Sequence, residues 1–422
     1  MDETLLCNEF EQTRRYSVEV CQSLQLEDYG LQAAAFASPP KWHLAHTTWF
    51  FETFILKPFA NDYVVIEPLY EVLFNSYYNG IGEQHPRDRR GLLSRPTLDE
   101  VLTYRQRVEQ AMQQLLAQPN HPDRRVIFER LQLGIEHERQ HQELFFTDLK
   151  YSLAANPLSP VYLELELPAA RTLSQAQWLD FPGGLVDIGQ GGSEFCFDNE
   201  QPRHSSFLQP FALSSRLVSN GEYQQFIDDG GYQRPELWLA DGWSTIQAEQ
   251  WAAPLYWREC DGESLEFTLH GLVPRQPEFP LCHVSGYEAD AYARWKGARL
   301  PTEQEMEYVA TLQDDASSTD ALGVCHPLPA GGSKQLEQLY GACWQWTRSA
   351  YGPYPGFNAQ EGAIGEYNGK FMSNQWVLRG SSCVTAASQS RPTYRNFFYP
   401  QDRWQFSGVR LAKYLEGEAV GL

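Results

Sequence analysis

The sequence predicts two domains of different class, an N-terminal four-helix bundle joined to a C-terminal α+β domain. Three observations carry that division. Four amphipathic segments fill the first 153 residues, helical periodicity then gives way to Gly, Pro and Trp, and AANPLSP marks the junction. A chain of 422 residues is long enough for two such cores. The expected boundaries are 1–153 for the bundle, 154–177 for a linker and 178–422 for the second domain.

Bulk properties narrow the function classes. A hydrophobic content of 42% is that of a globular chain. The formal charge of −21 offers no electrostatic footprint for nucleic acid or an anionic membrane. MDETLLCNEF is acidic where a secretory signal is basic, and no apolar run approaches the ~18 residues of a membrane span. Eight scattered cysteines without a C-x-x-C pair point to reduced thiols in a cytoplasmic protein.

In chain order, helices are expected over Glu3–Leu24, Pro40–Leu56, Thr97–Ala117 and Arg124–Leu153. The polar connection Lys57–Pro96 is too long for a simple bundle turn, and such connections tend to be functional. It contains FNSYYNG and HPRDRR. A bundle with one long crossover commonly carries a metal site in its core. Beyond the junction, GLVDIG, VLRGSS and GVRLAKY read as short strands. Helices are expected near Ser219–Asp229, Gly286–Trp295 and Thr302–Ala310, with Thr302 capping the helix that carries Glu303 and Glu305.

The chemistry concentrates in His137-Glu138-Arg139-Gln140-His141. Residues four apart share a helix face, so His137 and His141 can close on one ion. A third imidazole comes from SPPKWHLAHTTWFFETF, where His46 aligns with Trp42, Trp49 and Phe50. His43 lies on the flank of that stripe, and helical geometry alone does not exclude it. His137 and His141 align with Leu133 and Leu144 on the inward face. One histidine on an apolar face is usually a core residue; three that converge indicate a metal. Zinc with one water and iron(II) with three open positions both suit such a set. As H-E-x-x-H, the motif would make Glu138 the general base of a zinc peptidase. However, Gln142-Glu143-Leu144-Phe145 follows in place of an H-x-x-G-x-x-H extension. Glu136, Glu138 and Glu143 are expected on a solvated helix face.

SPPKWHLAHTTWFFETF, FNSYYNGIGEQHPRDRRG and GIEHERQHQELFFTDLKY resemble the DinB-like bundle of the ergothioneine-biosynthetic sulfoxide synthases. VSNGEYQQFIDDGGY, PLCHVSGYEADAYARWKGARLPTEQEMEYVA, YGACWQWTRSAYGPYPGF, VLRGSSCVT and RPTYRNFFYPQDRWQFSGVRLAKY resemble the formylglycine-generating-enzyme-like domain fused to it. The resemblance implies non-heme Fe(II) on His46, His137 and His141, choosing His46 over His43. It implies O2-dependent bonding of a cysteine-type thiol to C2 of hercynine (Nα-trimethylhistidine), with the sulfur left as a sulfoxide.

The same resemblance implies individual roles. Tyr77 and Tyr78 match paired tyrosines that supply a proton or hydrogen atom during oxygen reduction, a task open to phenols because they are neutral donors at pH 7. Arg87, ahead of Arg90, would hold the donor's carboxylate in bidentate fashion. Arg89 is expected in solvent. Gln140 and Asn396 match hercynine-contacting residues, and Phe397 an aromatic neighbour for the trimethylammonium group. Phe398 stands where members using γ-glutamylcysteine carry an aspartate. With the Tyr-Tyr pair, it resembles the branch that takes cysteine. Cys343 and Cys383 are expected as buried small hydrophobes rather than a catalytic pair. No methyltransferase region is expected beyond Leu422, unlike the ovothiol-type synthases.

The active site is expected between the two domains, with the 394–400 loop closing the trimethylhistidine pocket. The alternatives are an ovothiol-type 5-histidylcysteine sulfoxide synthase, the zinc peptidase, and a non-catalytic ligand-binding module of C-type-lectin-like fold.

Overall fold

Four long helices dominate the first unit of the computed structural model, which describes residues 2–169, 172–313, 323–332, 335–359 and 361–415. Helix α1 spans Glu3–Glu19, α2 Pro40–Phe51, α3 Leu98–Leu116 and α4 Arg124–Ala154. Local chemistry starts three of them. The Asp2 carboxylate accepts from Thr4 N and Leu5 N, Pro40 opens α2, and Thr97 with Glu100 forms a capping box before α3.

Helices α1 and α3 each bury one stripe at three- and four-residue spacing. The first is Leu6, Phe10, Thr13, Arg14 and Ser17; the second includes Val101, Tyr104, Arg105, Val108 and Met112. Helix α2 is buried everywhere except Lys41, as a helix apolar on all sides must be. It packs tightly on α4 because Gly134 has no side chain. A Cβ there would lie 2.5 Å from Phe51 Cε1 and 3.1 Å from Phe50 Cε1.

The helix expected over Pro40–Leu56 is regular only to Phe51, and Glu52–Leu56 continues as a π-helical turn. That turn carries Glu52, which is buried and accepts from Tyr63 Oη and Tyr104 Oη at 2.7 and 2.6 Å. A carboxylate removed from water needs such donors. The long connection holds short helical turns at Lys57–Phe59, Tyr70–Phe74 and Arg87–Leu92. This unit comprises Met1–Leu163 and also Ala359–Tyr367, a segment the sequence pattern assigns to the second domain.

The second unit, Glu164–Asn358 and Asn368–Leu422, is built from small sheets. Strands β1 (Trp178–Phe181), β4 (Phe211–Ser214) and β12 (Ala412–Tyr414) form one sheet in the order β1-β4-β12. β2 (Gly184–Ile188) pairs with β3 (His204–Leu208), and β5 (Trp257–Cys260), β6 (Glu263–Thr268) and β7 (Gly271–Pro274) form a meander. A further sheet runs β10-β9-β8-β11, from Asn396–Phe398, Trp376–Gly380, Trp344–Ala350 and Ser407–Gly408.

Helices α5 (Asn220–Asp228), α7 (Gly286–Trp295) and α8 (Glu303–Thr311) each begin with a capping box. Helix α6 (Ala240–Ala248) was not expected; Leu239 at its start gives no capping side chain to announce it. Phe211, Leu213 and Ala412 of the first sheet pack on Met306 and Val309 of α8. Glu303 and Glu307 on α8 grip Arg379 at 3.0 and 2.7 Å, and Glu303 also binds Arg395 Nε at 2.8 Å. The Arg-Leu-Pro-Thr-Glu run therefore both caps α8 and ties β9 and the entry to β10 onto it. Cys343 and Cys383 are buried. Among the described residues, no helix is long and apolar enough to cross a membrane.

Candidate metal centre

Helix α2 and helix α4 bring three imidazoles together in the bundle core. Donor atoms of His46, His137 and His141 lie within 4.8 Å of one another, the one such group among the described residues. His46 Nε2 is 3.2 Å from His137 Nε2. Two nitrogens each about 2.1 Å from a common ion at right angles stand about 3 Å apart, so this pair fits one edge of a coordination polyhedron. The inward face of α4 runs through Leu131, Gly134, Ile135, Glu138, His141 and Phe145, and not through Leu133 and Leu144, which are half-buried at its edge.

The surroundings leave these rings neutral. Burial holds His137 down to about 4. Burial first, then the neighbouring histidines, keeps His46 and His141 well below the usual imidazole range. The lone pairs are thus available to a cation. His46 Nδ1 donates to Phe74 O at 2.5 Å, which leaves Nε2 bare. Trp42 stacks on His46 at 4.5 Å between centroids and Phe50 on His137 at 4.6 Å, fixing both rings. The donor set contains no carboxylate, so a divalent ion held by these three residues would keep its full charge. His43 points elsewhere: its Nδ1 meets His141 Nδ1 at 2.9 Å and its Nε2 meets Asp148 Oδ2 at 3.2 Å.

Glu138 corrects the expectation of a solvated carboxylate face. It is 0% exposed and accepts from Arg14 Nη1 (2.9 Å), Arg105 Nη2 (3.1 Å) and Ser17 Oγ (2.6 Å). Burial alone would raise its carboxyl, but Arg14, Arg105 and these hydrogen bonds outweigh that and bring it down to about 2. Glu136 is buried too and pairs with Arg139 at 2.7 Å, while Glu143 is half-buried. With both oxygens of Glu138 taken, no general base of peptidase type is present on this helix turn.

The FNSYYNG loop stands beside the centre. Tyr78 is buried, 5.8 Å from Trp49 and 5.1 Å from Phe54 between ring centroids, and Tyr77 packs on it at 4.8 Å. Burial, then neighbouring tyrosines, pushes both phenols above their ordinary range, so they stay protonated donors. Asn75 closes the loop by bonding both N and O of Tyr78.

Sequence reasoning missed two partners of this loop. Glu366 accepts from Asn79 N at 2.9 Å and Gly80 N at 2.7 Å, and Tyr367 stacks on Tyr77 at 5.2 Å. Glu366 lies 287 positions from Asn79 and Tyr367 follows it, with no local pattern to link either to the loop.

Of the two arginines, Arg87 is exposed and its Nη2 donates to Phe36 O. Arg90 is buried, stacked 3.5 Å from the Trp42 ring centroid, with Nη1 on Ser38 Oγ and Nη2 on Ser76 Oγ. Burial, then Arg87, brings its guanidinium down to about 9. Arg89 is exposed. Gln140 is half-buried, one turn after His137.

Asn396, Phe397 and Phe398 belong to the second unit. They form strand β10 against β9, with Phe397 stacked on Tyr351 at 4.1 Å and Phe398 edge-on to Trp404 at 5.5 Å.

Comparison with known proteins gives the architecture its family. Residues 9–145 match the DinB superfamily, and residues 165–320 and 328–415 match the sulfatase-modifying factor enzyme 1-like domain. The chain is 34% identical to the hercynine oxygenase of Mycolicibacterium smegmatis, over 67% of this chain and 71% of that protein. It is 32% identical to the hercynine oxygenase of Mycobacterium tuberculosis, over 66% and 70%. Ergothioneine biosynthesis protein 1 of Schizosaccharomyces pombe is 27% identical over 52% of this chain and 28% of its own length. A three-histidine centre in a DinB-type bundle, followed by a sulfatase-modifying-factor domain and matched at this identity along two thirds of its length, places the chain in the hercynine oxygenase family.

Proposed function

We propose that this chain is an iron(II)- and O2-dependent sulfoxide synthase that joins the thiol of cysteine to C2 of hercynine in ergothioneine biosynthesis. The observation that carries the proposal is the convergence of three neutral imidazoles with no carboxylate among them. Iron(II) held by His46, His137 and His141 would supply a redox centre with positions left open for the reactants. The overall reaction balances without an outside reductant. The ring C–H and the thiol S–H give up two hydrogens to one oxygen atom, forming water, and the other oxygen remains on sulfur.

The protein's own groups orient and protonate. The resemblance puts Arg87 ahead of Arg90 for the donor's carboxylate; we take Arg90 instead, because its guanidinium is buried beside Trp42 while Arg87 lies at the surface. Tyr77 and Tyr78 hold protons at their Oη atoms and deliver one during oxygen reduction. Gln140, Asn396 and Phe397 are the proposed hercynine contacts. Phe398 offers no anion to a glutamyl ammonium group and favours cysteine over γ-glutamylcysteine.

The test is direct. Protein loaded with Fe(II) under anaerobic conditions and given hercynine and cysteine should form a hercynyl-cysteine sulfoxide when O2 is admitted. Absence of that adduct by mass spectrometry, with metal bound and the protein folded, defeats the proposal. Histidine as the better acceptor, with the bond at C5, would point instead to the ovothiol-type reaction. A strong preference for γ-glutamylcysteine in competition would overturn the role of Phe398.

A further inference from the structure

We infer that Glu366, assisted by Tyr367, is a positioning residue that clasps the backbone at Asn79 and Gly80 and so holds Tyr77 and Tyr78 where they can deliver a proton. The inference rests on the sulfoxide-synthase reading given above and on contacts within the first unit alone.

The bonds inside the tyrosine loop give it form. Asn75 Nδ2 donates to Tyr78 O and Tyr78 N to Asn75 Oδ1, both at 3.0 Å. Ile81 N donates to Tyr78 O at 3.1 Å and Gln84 Nε2 to Asn79 Oδ1 at 3.0 Å. Such local bonds fix the shape of a turn, not its place in the molecule. Place comes from contacts that leave the loop, and the two tyrosines differ in these. The Tyr78 ring meets Trp49 and Phe54 of the bundle. The ring contacts of Tyr77 run to Tyr78 and to Tyr367, the latter at 5.2 Å with 26° between planes.

Glu366 secures the side of the loop that the bundle rings do not reach. Its two oxygens take separate donors, Oε2 from Asn79 N at 2.9 Å and Oε1 from Gly80 N at 2.7 Å. Two bonds from adjacent amides to one carboxylate fix direction as well as distance. The clasp is built from both sides. A Cβ at Gly80 would stand 2.7 Å from Glu366 Oε1 and 3.5 Å from Ala363 Cβ, so the carboxylate reaches the loop through space that glycine leaves. On the other side, a tight turn at Ala363–Gly365 leads straight into the helical turn Glu366–Gly369. Neighbours on that turn thus act on neighbouring parts of the loop, Tyr367 on the ring of Tyr77 and Glu366 on the backbone after Tyr78. A general acid must stand within hydrogen-bond reach of the atom it protonates. Misplacement by about 1 Å can cost on the order of a hundredfold.

The test uses the full chain loaded with Fe(II) and given hercynine, cysteine and O2. Glu366→Ala and Gly80→Ala break the same clasp from opposite sides. The methyl at position 80 presses on the end of a movable side chain, so it displaces the carboxylate without disturbing the bundle. Each variant should shift the ratio of sulfoxide to sulfinic acid about tenfold toward the sulfinic acid. Metal stoichiometry and the unfolding midpoint should stay at wild-type values, which a merely structural role would not combine with an altered product. The double variant should shift the ratio no further than either single one, because both remove one interaction. Glu366→Gln keeps one acceptor oxygen and should fall between. Unchanged ratios in both single variants, or shifts that add in the double, overturn the inference.

Hydrogen exchange of the metal-free chain gives a readout free of chemistry. The amides of Asn79 and Gly80 should lose protection in Glu366→Ala while those of α4 keep it. Equal protection in wild type and variant also overturns the inference. If Glu366→Ala does not fold, Gly80→Ala carries both measurements. Wild type that makes no sulfoxide at all would mean that the sulfoxide-synthase reading has failed. That result differs from variants that make sulfoxide in the wild-type ratio.

Discussion

His137 and Glu138 are consecutive residues on one helix, equally hidden from water, yet the protein treats them in opposite ways. His137 is surrounded by rings, Phe50 and the other imidazoles, with no countercharge in contact, so it gives up its proton and remains neutral. Glu138 faces Arg14 and Arg105 and keeps its charge. Burial pushes both groups toward neutrality, and only the partners of Glu138 overcome it. The neutral face is left able to receive a cation that brings its own charge. The charged face is already compensated, and it braces α4 against α1 and α3.

The largest way to break this comparison is to remove a ligand. His137→Ala should weaken Fe(II) or Co(II) binding by more than about a hundredfold, the upper end for losing even a residue behind a ligand. Metal analysis after gel filtration checks it, and sulfoxide formation should vanish in step. Metal retained at wild-type stoichiometry would show that the ring is not a ligand.

Next comes the charged face. Glu138→Ala leaves the buried Arg14 and Arg105 with Glu109 as their remaining carboxylate and should cost about 3 kcal/mol of stability, measured by denaturant unfolding of metal-free protein. Under conditions where the variant is folded, it should still make sulfoxide. Loss of chemistry in a folded, metal-loaded variant would instead mean that Glu138 takes part in the reaction.

Acid should find the two faces in sequence. The folded-state pKa of His137 lies at about 4, below the free imidazole value of 6.5, so the unfolded chain binds the proton first. Its contribution is complete above about pH 6.5 and is lost as pH falls toward 4. Glu138, lowered to about 2 from 4.5, contributes fully above about 4.5 and loses that contribution only as pH falls toward 2. Each shift is worth on the order of 3 kcal/mol. Chelated protein unfolded across this range should lose stability in two windows. A single loss confined below pH 4.5 would contradict the neutral-cage account.

The finest test touches neither face. Tyr77→Phe and Tyr78→Phe should leave metal affinity and unfolding almost unchanged while diverting oxygen chemistry. Without the phenol proton, both oxygen atoms go to the thiol and give a sulfinic acid in place of the C–S bond. The ratio of sulfoxide to sulfinic acid, read by mass spectrometry, should shift by about a hundredfold in at least one variant. Unchanged ratios in both would remove the loop from the mechanism.

The sequence carried much of this because helical spacing is a local signal. His137 and His141 at i,i+4, and His46 on a stripe of Trp and Phe, were legible before any coordinates. So were the capped helices starting at Asn220, Gly286 and Glu303. Contacts between distant segments were not. Glu138 looked like a surface carboxylate because its partners Arg14 and Arg105 lie 124 and 33 positions away. The resemblance ranked Arg87 ahead of Arg90, and nothing in the letters announced that Arg90 is the one buried against the Trp42 ring and the Ser38 and Ser76 hydroxyls. His43 and His46 differed by one turn, and the family resemblance, not periodicity, chose between them.

Glu366, which holds the backbone of Asn79 and Gly80, gives the order of biosynthesis a consequence. Domains generally fold from the N-terminus while the ribosome is still at work. The histidine cage has all its residues once α4 has emerged. The tyrosine loop waits for its fastener, 287 positions downstream of Asn79, before it is pinned. A product cut short in between would lack the carboxylate that holds the backbone of Asn79 and Gly80.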